Sequence, residues 1–482
     1  MPDGSAVLTM RERRRTRVVA GAVCGVGRAG GWLAGALVLA ALSGAPVAAQ
    51  PLQEALAAAY ANNPTLQAAR ARLRATDENV PQALSGWRPT VTLQGRAGYA
   101  DGTTTNTRTG ARLDAERNLL SGSATVVQPL YRGGRTVAQT RRAESQVMAE
   151  RANLIATEQQ VLLDAITAYV NVIQNQEVLR LAENNVRVLT RQLQAARDRF
   201  RVGEITRTDV AQAEARLERA RSERANAEGQ LQNSRAAYAR VIGEPPQALV
   251  PPPPIRPVAT SADEAARLAE ANSPGVLRAM FDEQAAIANV DVVFGELLPS
   301  VNLEASTFRN DNSAQPGTRA TGSQIVAALS VPIYQGGQEH ARVRQAKQQA
   351  QQAREVLADA QRVAVENARR AWETLTASRA QISALQAQVR ANEIALDGVQ
   401  REALVGSRTT LDVLNAEQEL LDARVALVRA TRDVVIASYA LASTAGRLTA
   451  RDLNLPVAIY DPIDHYGSVR NRLFGTDIPA PR

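Results

Sequence analysis

The chain has 482 residues and a formal net charge of +8, and aromatic residues make up only 4% of it. Its single cysteine is Cys24, inside the 1–49 segment expected to be cleaved, so the mature chain has neither a disulfide nor thiol chemistry, and its two histidines, His340 and His465, stand far apart, without metal-ligand spacing. The basic balance does not indicate nucleic acid: residues 1–49 carry six arginines against Asp3 and Glu12, hence +4 of the +8, and the remainder is dispersed among acids.

Residues 10–17 hold five arginines, followed by an apolar, glycine- and alanine-rich run over 29–42 and then Pro46-Val47-Ala48-Ala49. That order predicts a secretory signal peptide over 1–49, cleaved before Gln50. A membrane-spanning helix fits less well, because the run is short and broken by glycines. Cys24 precedes the apolar run and follows Val23, a poor context for lipid attachment.

A first structural repeat is predicted over 50–243. Residues 52–62 read as a helix, and a second helix opens at Pro64 and runs to 84. After Gly86-Trp87-Arg88-Pro89 the period changes to two. Val91, Leu93, Gly95, Ala97 and Tyr99 fall on one side and Thr92, Gln94, Arg96 and Gly98 on the other, a strand with one apolar face. A polar loop is expected over 101–117, then a second strand ending at Gln128-Pro129-Leu130-Tyr131. Gly133-Gly134 hand over to 68 residues, 135–202, without glycine or proline. There Leu179, Val186, Leu193 and Phe200 recur at seven-residue steps, the stripe of a helix packed on other helices. Such a helix would be about 100 Å long. Gly203 suits its left-handed end, and Thr206 with Asp209 suits the start of the next helix. The result is a helical hairpin with a very long arm, which spans a distance and builds no pocket.

A proline-rich linker over 244–260 precedes a second structural repeat over 261–446. Asn63-Pro64 returns as Ser273-Pro274 and Arg88-Pro89-Thr90-Val91 as Leu298-Pro299-Ser300-Val301, both displaced by 210. The strand end returns as Val331-Pro332-Ile333-Tyr334-Gln335-Gly336-Gly337 and the hairpin turn as Val405-Gly406-Ser407-Arg408-Thr409-Thr410-Leu411-Asp412-Val413, both displaced by 203. The second β-hairpin is expected to use Val301, Leu303 and Ala305, then Ile325, Ala327, Leu329, Val331 and Ile333, as its apolar face. Helix 206–242 and helix 274–296, laid end to end, would span about 90 Å. One long helix beside two stacked short ones is therefore predicted, with the linker and the terminal segments around the joint. A C-terminal tail over 447–482 has no periodicity and belongs near that equatorial joint.

The fold class is mainly α with a small β portion and an internal twofold repeat. Four strands cannot close a barrel, and lipid does not tolerate open edges, so strands in a membrane require several copies to share one barrel. Two copies leave a filled interior and three leave a lumen. A lumen continued by long helices is a conduit.

The chain resembles the TolC-like outer-membrane channels, especially those of type I secretion systems. The resemblance rests on Asn62-Asn63-Pro64, Gln128-Pro129-Leu130-Tyr131-Arg132-Gly133-Gly134, Val202-Gly203-Glu204 with Thr206 and Thr208-Asp209-Val210, and Val405-Gly406 with Arg408-Thr409 and Asp412-Val413-Leu414. It implies a homotrimer in the outer membrane, with a shared transmembrane β-barrel and a periplasmic α-barrel. The implied partners are a periplasmic membrane-fusion adaptor, an inner-membrane transporter of ABC or RND type and outer-membrane lipid, with no nucleic acid. It further implies that the tube closes at its tips, where Arg408 matches a tip arginine, Asp209 the acid it bonds and Asp412 a constriction acid. Two departures stand out: Ala403 replaces a tyrosine of the best-known member, and Asn415 replaces a second acid at the entrance.

The candidate site is therefore the pair of tips: Gly203, Thr206 and Asp209 in the first repeat, Gly406, Arg408, Thr409, Asp412 and Asn415 in the second. Asp209 and Asp412 equally suit plain helix capping, and Arg408, which replaces Ile205 of the first repeat, equally suits a solvated cation. The Gly-Gly pairs lack the Lys-Ser/Thr of a phosphate loop and read as turns. No Ser/His/Asp or paired-carboxylate set stands out, so neither an enzyme nor a cofactor is expected. The alternative reading is a periplasmic helical adaptor or scaffold of an export complex.

Overall fold

The computed structural model describes residues 50–313 and 316–478, and the expected signal peptide lies outside them. The first repeat opens with α1 (Leu52–Asn62), α2 (Pro64–Asp77), α3 (Asn79–Leu84) and a 3-10 turn, Ser85–Trp87. Asn63 makes the first joint: its side chain accepts from the Thr65 N–H at 2.9 Å, while Pro64 takes the first helical position, where no N–H is needed.

β1 (Thr90–Thr105), β2 (Arg112–Arg132), β3 (Ser300–Asp311) and β4 (Arg319–Ser330) form one antiparallel sheet in the order β1-β2-β3-β4. Two expectations are corrected here. Residues 101–117 are not a loop: pairing continues from Asp101↔Glu116 to Thr105↔Arg112, and only 106–111 turn, organised by the Asn106 carboxamide accepting from the Arg108 N–H at 3.0 Å. Backbone pairing needs no apolar face, so the strands outrun the apolar pattern that revealed them. Conversely, β4 stops at Ser330, before Val331 and Ile333, where Pro332 removes a ladder donor.

The register makes the faces distinct. Val91, Val126, Ala305 and Ile325 lie opposite one another across all four strands, and the next row is Thr92, Thr125, Ser306 and Gln324. Val91, Leu93, Ile325 and Leu329 are each at least 66% exposed, an apolar face suited to lipid. Among the described residues nothing pairs with the outer edges of β1 and β4.

The long arms are α4 (Arg135–Arg201) and α8 (Gln338–Leu404), each of 67 residues. Their returning helices are α5 (Arg207–Ile242) and α9 (Thr410–Thr444). Between the repeats lie α6 (Ala262–Asn272), α7 (Pro274–Phe294) and a second 3-10 turn, Gly295–Leu297, and the tail carries α10 (Pro462–Val469). As the lengths predict, α4 lies beside two shorter helices in succession. Residues 141–151 face 281–291 of α7, with Arg142 bonded to Asn289 at 2.8 Å, and 189–196 pack on 213–220 of α5.

The main core surrounds the joint between those helices. The buried Tyr169 hydroxyl accepts from the Val250 N–H at 3.0 Å and lies 2.7 Å from the Gln50 carbonyl, to which it can donate. Tyr238 donates to Gln50 Oε1 at 3.1 Å, and burial pushes its phenol up to about 12, so it remains a donor. The linker and the start of the described chain are thereby stitched around the joint. No helix among the described residues is long and apolar enough to cross a membrane.

α4 and α8 are equal in length but not in surroundings. α4 buries 21 residues and α8 only five, and Val356 and Ile394 of α8 are more than half exposed. α4 meets helices of both repeats, whereas α8 packs mainly on α6, α7 and α9 and follows the edge strand β4.

The paired helical tips, a candidate gate

Both long helices end by the same chemistry. In α4 the Gly203 N–H donates to the Phe200 carbonyl and the Glu204 N–H to the Arg199 carbonyl, each at 3.0 Å. In α8 the Gly406 N–H donates to the Ala403 carbonyl at 3.2 Å and the Ser407 N–H to the Glu402 carbonyl at 3.0 Å. These are Schellman turns, and they place Gly203 at φ +82° and Gly406 at φ +78°, where a Cβ is strained.

The returning helices start with reciprocal capping boxes. The Asp209 N–H donates to Thr206 Oγ1 at 3.3 Å and the Thr206 N–H to Asp209 Oδ2 at 2.9 Å. Thr409 and Asp412 repeat this at 3.2 and 2.9 Å. An N-cap of this kind typically contributes about 1 kcal/mol. The Thr409 N–H and hydroxyl, with the Arg408 cation nearby, hold the Asp412 carboxyl below its usual range. Helix-end chemistry thus engages Gly203, Thr206, Asp209, Gly406, Thr409 and Asp412 alike.

The tips differ in the remaining residues. Ile205 packs against an apolar cluster that includes Leu189, Leu193, Ala213 and Leu217. Its counterpart Arg408 stays outside and donates from Nε to Glu402 Oε2 at 2.8 Å, within its own tip. The expected pairing of Arg408 with Asp209 is therefore not made within the chain; Asp209 Oδ2 is occupied by Thr206. A local acid six residues away reaches the guanidinium without any hairpin-to-hairpin approach.

Behind the tips the two hairpins meet. Leu414 of α9 is buried in the apolar cluster of the first tip, and Arg216 of α5 donates from Nη2 to Asn415 Oδ1 at 2.9 Å. Asn415, notable in the sequence only for the acid it replaces, is thus one half of a clasp. Arg216 carries no motif and no repeat equivalence that marks it, so nothing in a single sequence singles it out. Glu417, two residues further along α9, is likewise unmarked. Burial pushes its carboxyl up, and it accepts from Gln400 of α8 at 3.1 Å.

Elsewhere the candidates are few. Among the described residues no cluster of three or more His, Cys, Asp or Glu could hold a metal ion. The Gly133-Gly134 and Gly336-Gly337 pairs form left-handed turns that deliver a strand into a helix.

A family model described as outer membrane efflux protein matches residues 55–244 and 265–447. The chain is 39% identical over 446 residues to the outer membrane efflux protein BepC of Brucella suis biovar 1, covering 92% of this chain and 95% of that protein. It is 25% identical over 428 residues to the outer membrane protein TolC of Escherichia coli, covering 84% of each. To the alkaline protease secretion protein AprF of Pseudomonas aeruginosa it is 26% identical over 392 residues, covering 80% and 81%. In fold it is similar to the CmeC outer membrane channel of Campylobacter jejuni, with a TM-score of 0.74 over 87% of this chain and 89% of that one, at 16% identity. The four-stranded sheet with its lipid-suited face, the duplicated long hairpins and these likenesses agree: the chain belongs to the outer membrane efflux protein family, as a TolC-like export channel of the outer membrane and not an enzyme.

Proposed function

We propose that three copies of this chain complete one conduit, a shared β-barrel in the outer membrane continued by a helical tube through the periplasm, gated at the paired tips. The observation that carries the trimer is the unequal surroundings of equivalent parts. A Cβ on Gly133 would overlap Gly295 and Leu298 of the second repeat, whereas one on the equivalent Gly336 would meet nothing within 4 Å. The same flank leaves α8 sparsely buried and β4 unpaired, and the opposite edge leaves β1 unpaired. A second copy fits that flank head to tail, and three copies are the smallest closed number that leaves a lumen.

In this reading the mature chain begins at Gln50, the repeats 50–243 and 261–446 each supply one β-hairpin and one helical hairpin, and the tail 447–482 starts at the equator, where Leu448 and Leu455 are buried, and runs on to the foot of the sheet, where the Arg472 carbonyl accepts from Arg88. The tips face an inner-membrane transporter and a periplasmic adaptor. Resemblance to a protein named for alkaline protease secretion supports protein cargo, and resemblance to a named efflux protein supports small molecules. Gene deletion, with secreted proteins and antibiotic sensitivity compared, separates these.

The assembly is tested by native mass in mild detergent. The expected value is three mature chains, with a band on an unheated gel that shifts on boiling. A well-behaved monomer in a native bilayer would overturn the shared barrel.

A further inference from the structure

We propose that the C-terminal loop 472–478 is a lipid anchor that rests on the periplasmic leaflet of the outer membrane, where the strands enter it. The loop is built and does not trail. Upstream, His465 Nδ1 lies 2.9 Å from Asp77 Oδ2, Arg470 donates to Glu144 at 3.0 Å and Val469 is fully buried. Arg472 then organises the turn: Nη1 donates to the Asp477 carbonyl at 2.5 Å and Nε to the Phe474 carbonyl at 3.4 Å. Held in this way, the loop turns Leu473, Phe474 and Ile478 outward, 69%, 87% and 84% exposed. Three large apolar side chains on one short, organised loop form a patch that water does not favour.

Position decides what covers it. The Arg472 carbonyl accepts from Arg88 Nη1 at 2.8 Å, and Arg88 stands two residues before the start of β1. The neighbouring Trp87 carbonyl accepts from Gln128 Nε2 at 2.9 Å, near the end of β2. The loop therefore lies level with the foot of the sheet. Trp87 and Tyr131, both partly exposed there, mark that level as interfacial aromatics do. Its apolar side chains extend the lipid-facing surface of the strands into the headgroup and upper acyl region.

A second copy is the competing occupant, and the placement of α10 disfavours it. α10 packs on α2, and Tyr466 lies 5.3 Å from the Arg151 guanidinium of α4, so the tail crosses the face of the helix layer. The unpaired edges where a neighbour joins are those of β1 and β4.

The test places an environment-sensitive bimane probe on Phe474→Cys or Ile478→Cys of the mature channel, which begins at Gln50 and has no other cysteine, reconstituted into phospholipid vesicles. Val405→Cys at the tip, 81% exposed, serves as the water reference. The expected result is emission shifted to the blue of the reference and quenched by brominated lipid, more strongly with bromine near the headgroup than near the chain end. Emission matching the reference, with no quenching, would overturn the proposal in favour of a solvated loop. A blue shift without lipid quenching would overturn it in favour of cover by a second copy.

Discussion

Arg408 and Glu402 illustrate why single residues at the tips contribute little and still matter. Both side chains are about half exposed, and an ion pair so open to water and salt adds little net stability. A bond this weak is exchangeable, so Arg408 can leave Glu402 for an acid on a neighbouring copy, with Asp209 as the proposed acceptor. Closure would then be a sum of small terms repeated around the ring, which a docking partner can overcome. Arg408→Ser should raise single-channel conductance in planar bilayers, and Asp209→Ala should act in the same direction. No change for Arg408→Ser would leave it a solvated cation. Asp412 is proposed to line the entrance as a ring of carboxylates favouring cations. Its carboxyl is held below the usual range by Thr409 and Arg408, so the charged form persists as pH falls through the ordinary aspartate value of about 3.9. Block by multivalent cations should accordingly survive mild acidification in the native channel and be reduced by Asp412→Asn at neutral pH. If Asp412→Asn leaves the block intact, the acid caps a helix and nothing more.

At the scale of elements, the two strand-to-helix turns offer a comparison internal to the chain. Gly133 and Gly336 share nearly the same φ, +62° and +67°, so alanine strains both backbones alike, by roughly 1 kcal/mol or more. Only Gly133 is packed within the chain, against Gly295 and Leu298. Gly133→Ala should therefore weaken each chain's own fold, lowering its thermal midpoint whatever the assembly state. Gly336→Ala should lower that midpoint less, by the backbone strain alone, and should in addition weaken assembly, shifting protein from the trimer to the monomer band on unheated gels. Equal effects of both variants on the monomer, with none on assembly, would show that no neighbour fills the space at Gly336.

For the whole molecule, what matters is which surfaces are left over. α8 buries five residues over a length in which α4 buries 21, and the sheet ends in two unpaired edges. An isolated chain would keep apolar Val356 and Ile394 in water and two strand edges in lipid, and an unpaired edge in hydrocarbon costs several kcal/mol for each unsatisfied backbone group. In the proposed trimer, pairing of the edges of β1 and β4 between copies would remove the backbone penalty, and a neighbouring helical layer against α8 would cover its apolar residues. The native mass of three chains predicted above follows from this, and so does resistance of the assembled barrel to unheated detergent.

Sequence alone determined the elements whose physics is local. Glycine- and proline-free length marks α4 and α8, the Schellman and capping residues mark both tips, and duplication at fixed offset fixes the repeat. Stacking of α5 and α7 along α4 followed from lengths alone, since helical rise is constant. Tertiary structure decided what depends on neighbours distant in the chain. The strands extend over 101–105 and 112–117 because backbone pairing does not need the apolar alternation by which a strand is recognised. Arg408 found Glu402, not Asp209, since a nearby acid on the same turn reaches it first. Arg216 met Asn415, 199 residues away, because α5 and α9 converge behind the tips. An arginine on a helix surface looks the same in sequence whether it faces water or another hairpin, and only the packing of the helices distinguishes the two.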